Sequence, residues 1–263
     1  VRATLLGVPY DGGSSFQRGA AGGPAAIRAA LRSASSNTWN EDIVDVDVLL
    51  GDSGDVVVTG VADPLQAIEA AAAALDPEVR PIFLGGDHSI TWPLLRAMRR
   101  RAPRLTILHL DAHPDLYDRF DGDLSSHACP FTRIMEGGLC DRLVQLGIRT
   151  ANVHQAEQVS RFGVEMVTMR QGLAAMQGMV ATLEGPVYIS LDLDVLDPAH
   201  VPGINHPEPG GLATRDLLTL VQAVPRGLLI GADVVELSPA NDLRDLTARV
   251  AAKLVKELVG RMQ

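Results

Sequence analysis

"VYISLDLDVLDP", residues 187–198, begins as a buried strand and ends as a cluster of acids. Tyr188, Ile189, Leu191, Leu193 and Val195 supply the apolar run, while Asp192, Asp194 and Asp197 interrupt it with no Lys or Arg nearby. A carboxylate in such surroundings costs several kcal/mol unless something cationic meets it. The stretch therefore raises two questions, which sheet it belongs to and which cation it meets.

Seven further short runs share its strand character: 3–8, 43–50, 80–85, 105–110, 143–148, 164–169 and 228–235. Ala-rich amphipathic stretches lie between them, at 24–33 (opened by Pro24), 64–75, 89–101, 152–161, 171–183, 213–223 and 245–262. Such alternation predicts an α/β fold of three layers, with a mostly parallel sheet of about eight strands and helices on both faces. The Gly-rich stretch at 11–23 lies too near the N-terminus to divide the chain, and no repeat is visible, so residues 1–263 read as a single domain.

Composition narrows the partners. A net charge of −9 and a pI near 5.2 argue against nucleic acid and against an anionic membrane surface, and suit a small cationic substrate. The basic segment "RAMRRRAPR", 96–104, falls at the end of an expected helix, where cations complement the helix dipole. Cys129 and Cys140 do not form a CxxC pair, and no apolar run approaches the roughly 18 residues of a membrane helix. A soluble cytoplasmic protein is the expectation. The first residue is Val1 in place of Met, which predicts a trimmed N-terminus.

In parallel sheets ligands bind beyond the carboxyl ends of the strands. Four polar clusters fall at that position: "GGDHS" (85–89), "DAHPDLYD" (111–118), "DLDVLDP" (192–198) and "ELSPAND" (236–242). Each has an ordinary explanation by itself, such as Asp87 capping the next helix, a lone buried His88, or a Pro-broken turn after Glu236. Four independent loops have no reason to share one edge, so they are read as one site. There Asp111, Asp115, Asp192 and Asp194 converge with His88 and His113. Like charges about 4 Å apart repel by roughly 4 kcal/mol at an effective dielectric near 20, and two divalent cations would cancel four carboxylates. On a strand, residues i and i+2 stand about 6.6 to 7 Å apart, which would let Asp192 and Asp194 bracket a metal pair. Oxygen and imidazole ligands without thiolate suit Mn²⁺ and leave Co²⁺, Ni²⁺, Fe²⁺ or Zn²⁺ open. The usual chemistry of a carboxylate-bridged pair is hydrolysis.

These segments, in this order and with "GGPAAIR" at 22–28, resemble the signature motifs of the ureohydrolase family, the arginases and agmatinases. The resemblance implies an arginase-like fold, trimers or hexamers, and cleavage of a guanidine to urea and an amine by a binuclear manganese centre. It implies that His88, Asp111, Asp115 and Asp192 hold one metal and Asp111, His113, Asp192 and Asp194 the other. Asp115 would also bond the nucleophile, Glu236 would pair with the guanidinium, and His127 of "SSHACPF" would pass protons to the leaving amine. His109, His154, His200 and His206 are assigned supporting roles, with His206 the one expected near the pocket.

For the substrate, the loop "LYDRFDGDLSSHA", 116–128, carries Asp118, Asp121 and Asp123, which would repel an α-carboxylate and favour agmatine, with Asp123 as a substrate contact. "HLDAHPDLYD" and "SHACPFTRIMEGG" resemble the plant-type arginases and keep arginine as the alternative, with guanidinobutyrate and guanidinopropionate behind it. Two readings of other classes are a non-catalytic polyamine-linked regulator and a single-zinc deacetylase. The complete set of six metal ligands argues against both.

Overall fold

Leu-, Ile- and Val-rich runs that are buried along their whole length need cover on both faces, and a computed structural model, describing residues 2–263, provides it. The strands are β1 (Ala3–Val8), β2 (Leu50–Asp55), β3 (Arg80–Gly85), β4 (Thr106–Leu110), β5 (Arg142–Ile148), β6 (Glu165–Thr168), β7 (Val187–Asp192) and β8 (Leu229–Val235). They form one sheet in the order β2-β1-β3-β8-β7-β4-β5-β6, with every pairing parallel. The expected α/β architecture, a parallel sheet of eight strands, is met. Val1, the first residue of the expected domain, lies outside the described residues.

The α-helices are α1 (Gly23–Leu31), α2 (Pro64–Ala74), α3 (Thr91–Met98), α4 (Pro130–Glu136), α5 (Val153–Phe162), α6 (Leu173–Val180), α7 (Thr214–Ala223) and α8 (Leu246–Arg261). Alternate strand residues face opposite sides. Leu5, Ile82, Leu84 and Ile189 pack with Ile27, Val180, Leu217 and Leu254 of α1, α6, α7 and α8. Leu6, Phe83, Ile107 and Tyr188 pack on the other side with Ile68, Leu94 and Phe131 of α2, α3 and α4. No helix among the described residues is long and apolar enough to cross a membrane.

One expected strand moves. The run at 43–50 forms turns, and β2 instead uses "LGDSGD" at the sheet edge. In the run, Asp45 and Asp47 alternate with valines, which mimics a strand; Val46 points into the core, whereas Ile43 and Val48 are 80% and 72% exposed. An edge strand has one free side and little to bury, so β2 needs few apolar residues. Its Asp52 and Asp55 both bond Arg28 of α1, Asp52 at 2.9 Å. The expected helix 89–101 is a 3₁₀ turn (His88–Ile90) followed by α3, and α4 was not anticipated because seven residues carry little periodicity. The basic segment is held within the fold. Arg101 donates to the carbonyl oxygens of Ala72 and Leu75 at the end of α2, and Arg96 and Arg100 pair with Glu69.

Candidate metal centre and its cavity

β3, β8, β7 and β4 are neighbours in the middle of the sheet, so the segments leaving their carboxyl ends must meet. Backbone bonds lock two of them together: Glu236 N donates to Gly86 O at 2.8 Å, and Gly86 N to Val8 O at 3.0 Å. Gly86 is obligatory here, since a Cβ would stand 1.7 Å from the carbonyl oxygen of Tyr10.

The six expected ligands come together. His88 Nδ1 lies 3.1 Å from Asp111 Oδ2, 3.1 Å from Asp115 Oδ2 and 3.2 Å from Asp192 Oδ2. His113 Nδ1 lies 2.9 Å from Asp194 Oδ2 and 3.4 Å from Asp111 Oδ1, so Asp111 faces both imidazoles with different oxygens. They do not converge by strand alternation, which corrects the reading above. β4 stops at Leu110, and Asp115 takes a left-handed backbone with φ 51°. Asp192 closes β7, and Asp194 sits in a 3₁₀ turn whose N–H donates to Asp192 Oδ1 at 2.8 Å. Turns fold the side chains inward, closer than a pleat would.

Electrostatics show what the cluster lacks. Burial opposes charge on His88, yet Asp111, Asp115 and Asp192 raise its pKa well above the ordinary value. Burial likewise opposes charge on His113, but Asp194 and Asp111 push it up to about 12. Burial, with Asp194 and Asp111 alongside, raises Asp192 well above the carboxylate range; Asp194 rises to about 6 through burial and Asp111. Protons thus stand in for cations. His88 Nδ1 is wholly buried and makes no well-aligned hydrogen bond, as expected of a nitrogen aimed at a metal. Oxygen and imidazole donors without thiolate fit two hard or borderline divalent ions. The two sets that could hold them are His88, Asp111, Asp115, Asp192 and Asp111, His113, Asp192, Asp194.

Behind the ligands, Asp233 and Gln145 were missed, whereas His109 was expected in a supporting role. Asp233 of β8 is completely buried and accepts from Ser190 Oγ (2.8 Å), Tyr188 OH (2.8 Å) and Thr91 Oγ1 (3.1 Å). Its signal was an acid inside the apolar run "LLIGADVV", the anomaly noticed at Asp192 but not here. His109 supports Asp111 at 2.7 Å and is itself met by Gln145 Nε2 at 3.0 Å.

A cavity of about 290 Å³ opens over the cluster. On one side His127 Nδ1 meets Glu236 Oε1 at 2.9 Å, and its Nε2 meets Ser15 Oγ at 2.8 Å. Burial opposes charge on His127, but Glu236 raises its pKa to about 9. Glu236 Oε1 also accepts from His88 N at 2.9 Å. His206 lines the cavity too, its ring 4.8 Å from that of His127. Tyr117, Thr150, Ala151, Asn152 and Gln155 also line the cavity, the last three at the N-terminal end of α5, where Asn152 caps the helix. His154 and His200 are outside the cavity wall.

Tyr117, Phe120, His127 and Ala128 of the 116–128 loop line the cavity, but its acids Asp118, Asp121 and Asp123 do not, contrary to the expectation drawn from their charge. Asp118 bonds Gln158 and lies 3.6 Å from Arg161. Asp123 is exposed and accepts from Ser125 N at 2.8 Å, and neither it nor Asp121 is part of the wall.

An all-parallel sheet that gathers four carboxylates and two imidazoles at its carboxyl edge defines an α/β protein built to collect cations under a ligand cavity. The sequence profile of the Arginase family matches residues 1–260, and the chain belongs to that family. It is 44% identical to "Arginase 2, chloroplastic/mitochondrial" of Arabidopsis thaliana, over 98% of this chain and 80% of that one. It is 38% identical to a guanidinopropionase of Pseudomonas aeruginosa, over 97% and 85%. The solved arginase from Medicago truncatula superposes with a TM-score of 0.91 at 40% identity, covering 99% of this chain and 87% of the other. The protein is thus an amidinohydrolase of the ureohydrolase type.

Proposed function

We propose that the protein hydrolyses arginine to ornithine and urea. The observation that carries the substrate is the uncharged part of the cavity lining beside α5. Tyr117, Thr150, Ala151, Asn152 and Gln155 of that lining carry no charge, and they gather at the N-terminal end of α5, whose positive dipole end favours a carboxylate. Agmatine, favoured above on the charge of Asp118, Asp121 and Asp123, loses its motive because those acids lie outside the cavity wall. The plant arginases among the relatives support the same choice.

Each role follows from geometry. The guanidinium is planar and resonance-stabilised, so it must be held against a carboxylate while its carbon is attacked. Glu236 suits that task, because both its protein bonds fall on Oε1 and leave the second oxygen for the substrate. His127, with its pKa raised to about 9, carries a proton at neutral pH that the leaving amine can take. Asp115 orients the nucleophile. Two divalent cations on the six ligands, manganese by family likeness, supply an ionised water at neutral pH. The same likeness supports a trimer or hexamer, and the composition supports a cytoplasmic setting with the whole chain, 1–263, acting as one domain.

The test is urea release by manganese-loaded protein from arginine, agmatine, guanidinobutyrate and guanidinopropionate. Arginine should lead agmatine in kcat/KM by about tenfold or more, roughly 1.4 kcal/mol of differential transition-state binding. Agmatine in the lead overturns the substrate, and silence across the panel overturns the reaction.

A further inference from the structure

Among the described residues, a further group of donors is gathered outside the six ligands. A ring nitrogen of His127, a ring nitrogen of His206 and a carboxylate oxygen of Glu236 all lie within 4.8 Å of one another. They arrive from three separate segments: the approach to α4, the loop between β7 and α7, and the residue after β8. All three line the cavity, so an ion can reach them. His206 makes ring contacts with Phe16 and His127 but no hydrogen bond to any described residue, so its nitrogens are free to ligate.

We propose that His127, His206 and Glu236 form a third cation site, which takes zinc or a similar borderline divalent ion and closes the cavity to substrate. Two imidazoles and a carboxylate are a recurring zinc set that leaves the fourth position open. Around tetrahedral zinc, donors about 2.1 Å from the ion stand roughly 3.4 Å from each other. His127 Nδ1 and Glu236 Oε1 are already 2.9 Å apart, so small side-chain rotations complete the site. Selectivity follows from ligand type. Manganese sits at the weak end of the divalent series and prefers oxygen, which directs it to the acid-rich centre; zinc binds nitrogen-rich sets more tightly. The third site therefore favours zinc over manganese; zinc outranks manganese at the acid-rich centre as well, so excess manganese is needed to hold that centre while the third site fills. On the function proposed above, the ion occupies both the guanidinium anchor and the proton carrier, so inhibition is competitive with the guanidine.

Equilibrium dialysis of the manganese-loaded protein against micromolar zinc in a large excess of manganese, which holds the six-ligand centre by mass action, counts both metals and tests this without reference to turnover. One zinc per chain should bind with both manganese ions retained. His206→Ala and His206→Asn should each weaken that zinc by about tenfold or more with the manganese count unchanged. Zinc uptake matched by manganese loss, no uptake, or a third equivalent that survives both variants overturns the site. A protein that hydrolyses no guanidine would still give this metal count, so failure of the functional reading and failure of the site are separable.

Discussion

Ser190 Oγ lies 3.0 Å from His88 Nε2, and the direction of that bond is fixed by a third group. Ser190 gives its single proton to Asp233 Oδ1, so it accepts from His88. The imidazole proton then resides on Nε2, and Nδ1 is left to face Asp111, Asp115 and Asp192. Replacing Asp233 with Asn frees Ser190 to turn its proton toward His88 and weakens this orientation. Asp233→Asn should lower affinity for the first metal by about 10- to 100-fold while the chain stays folded. Metal titration beside circular dichroism checks it, and unchanged affinity would remove Asp233 from the supporting network.

Metal loading should depend on pH, and the sign comes from His113. In the metal-free chain its pKa is raised to about 12, so at neutral pH the imidazole carries a proton between Asp194 and Asp111. A cation can bind there only by displacing that proton, so affinity should rise with pH across the neutral range. Calorimetry in two buffers of different ionisation enthalpy should report about one proton or more released per chain at pH 7.5. A net release of zero contradicts the geometry.

Asp194→Ala and His127→Ala should fail differently. Loss of Asp194 removes a carboxylate from the Asp111, His113, Asp194 group, so one metal and nearly all turnover should disappear. His127 contacts Glu236 and Ser15 and none of the six ligands by hydrogen bond, so His127→Ala should keep both metals while kcat falls by about 10²- to 10⁴-fold. Elemental analysis of the two variants separates the roles, and a His127→Ala protein stripped of metal would disprove the assignment.

Packing supports the centre from behind. Phe131 of α4 is fully buried, stacks on His109 at 3.8 Å and meets the edge of His88 at 5.4 Å. Phe131→Ala should cost about 3 to 5 kcal/mol in denaturant unfolding of the metal-free chain, and should loosen metal binding because His109 orients Asp111. A loss below about 1 kcal/mol would mean that the surroundings collapse into the space.

What the sequence alone determined follows from burial. Strands such as "RPIFLG" and "VYISLD" are covered on both faces, and nothing but an apolar run satisfies that position, so their places in the chain and parallel setting were legible. That the six candidate ligands gather at one place was legible for a related reason: carboxylates and imidazoles at the ends of buried strands are costly anywhere except around a cation. The tertiary structure decided the rest. β2 lies on an edge that demands little burial, so the apolar run beside it was the wrong guide. Asp123 and Asn152 could each have faced the cavity, since the direction of a loop side chain depends on turn geometry and on what packs beneath it. Ser15, His127, His206 and Glu236 are separated by tens of residues or more and meet only once the sheet has brought its carboxyl edge together. No periodicity records such a meeting, because periodicity reports which face of one element is buried and carries nothing about which other element arrives there.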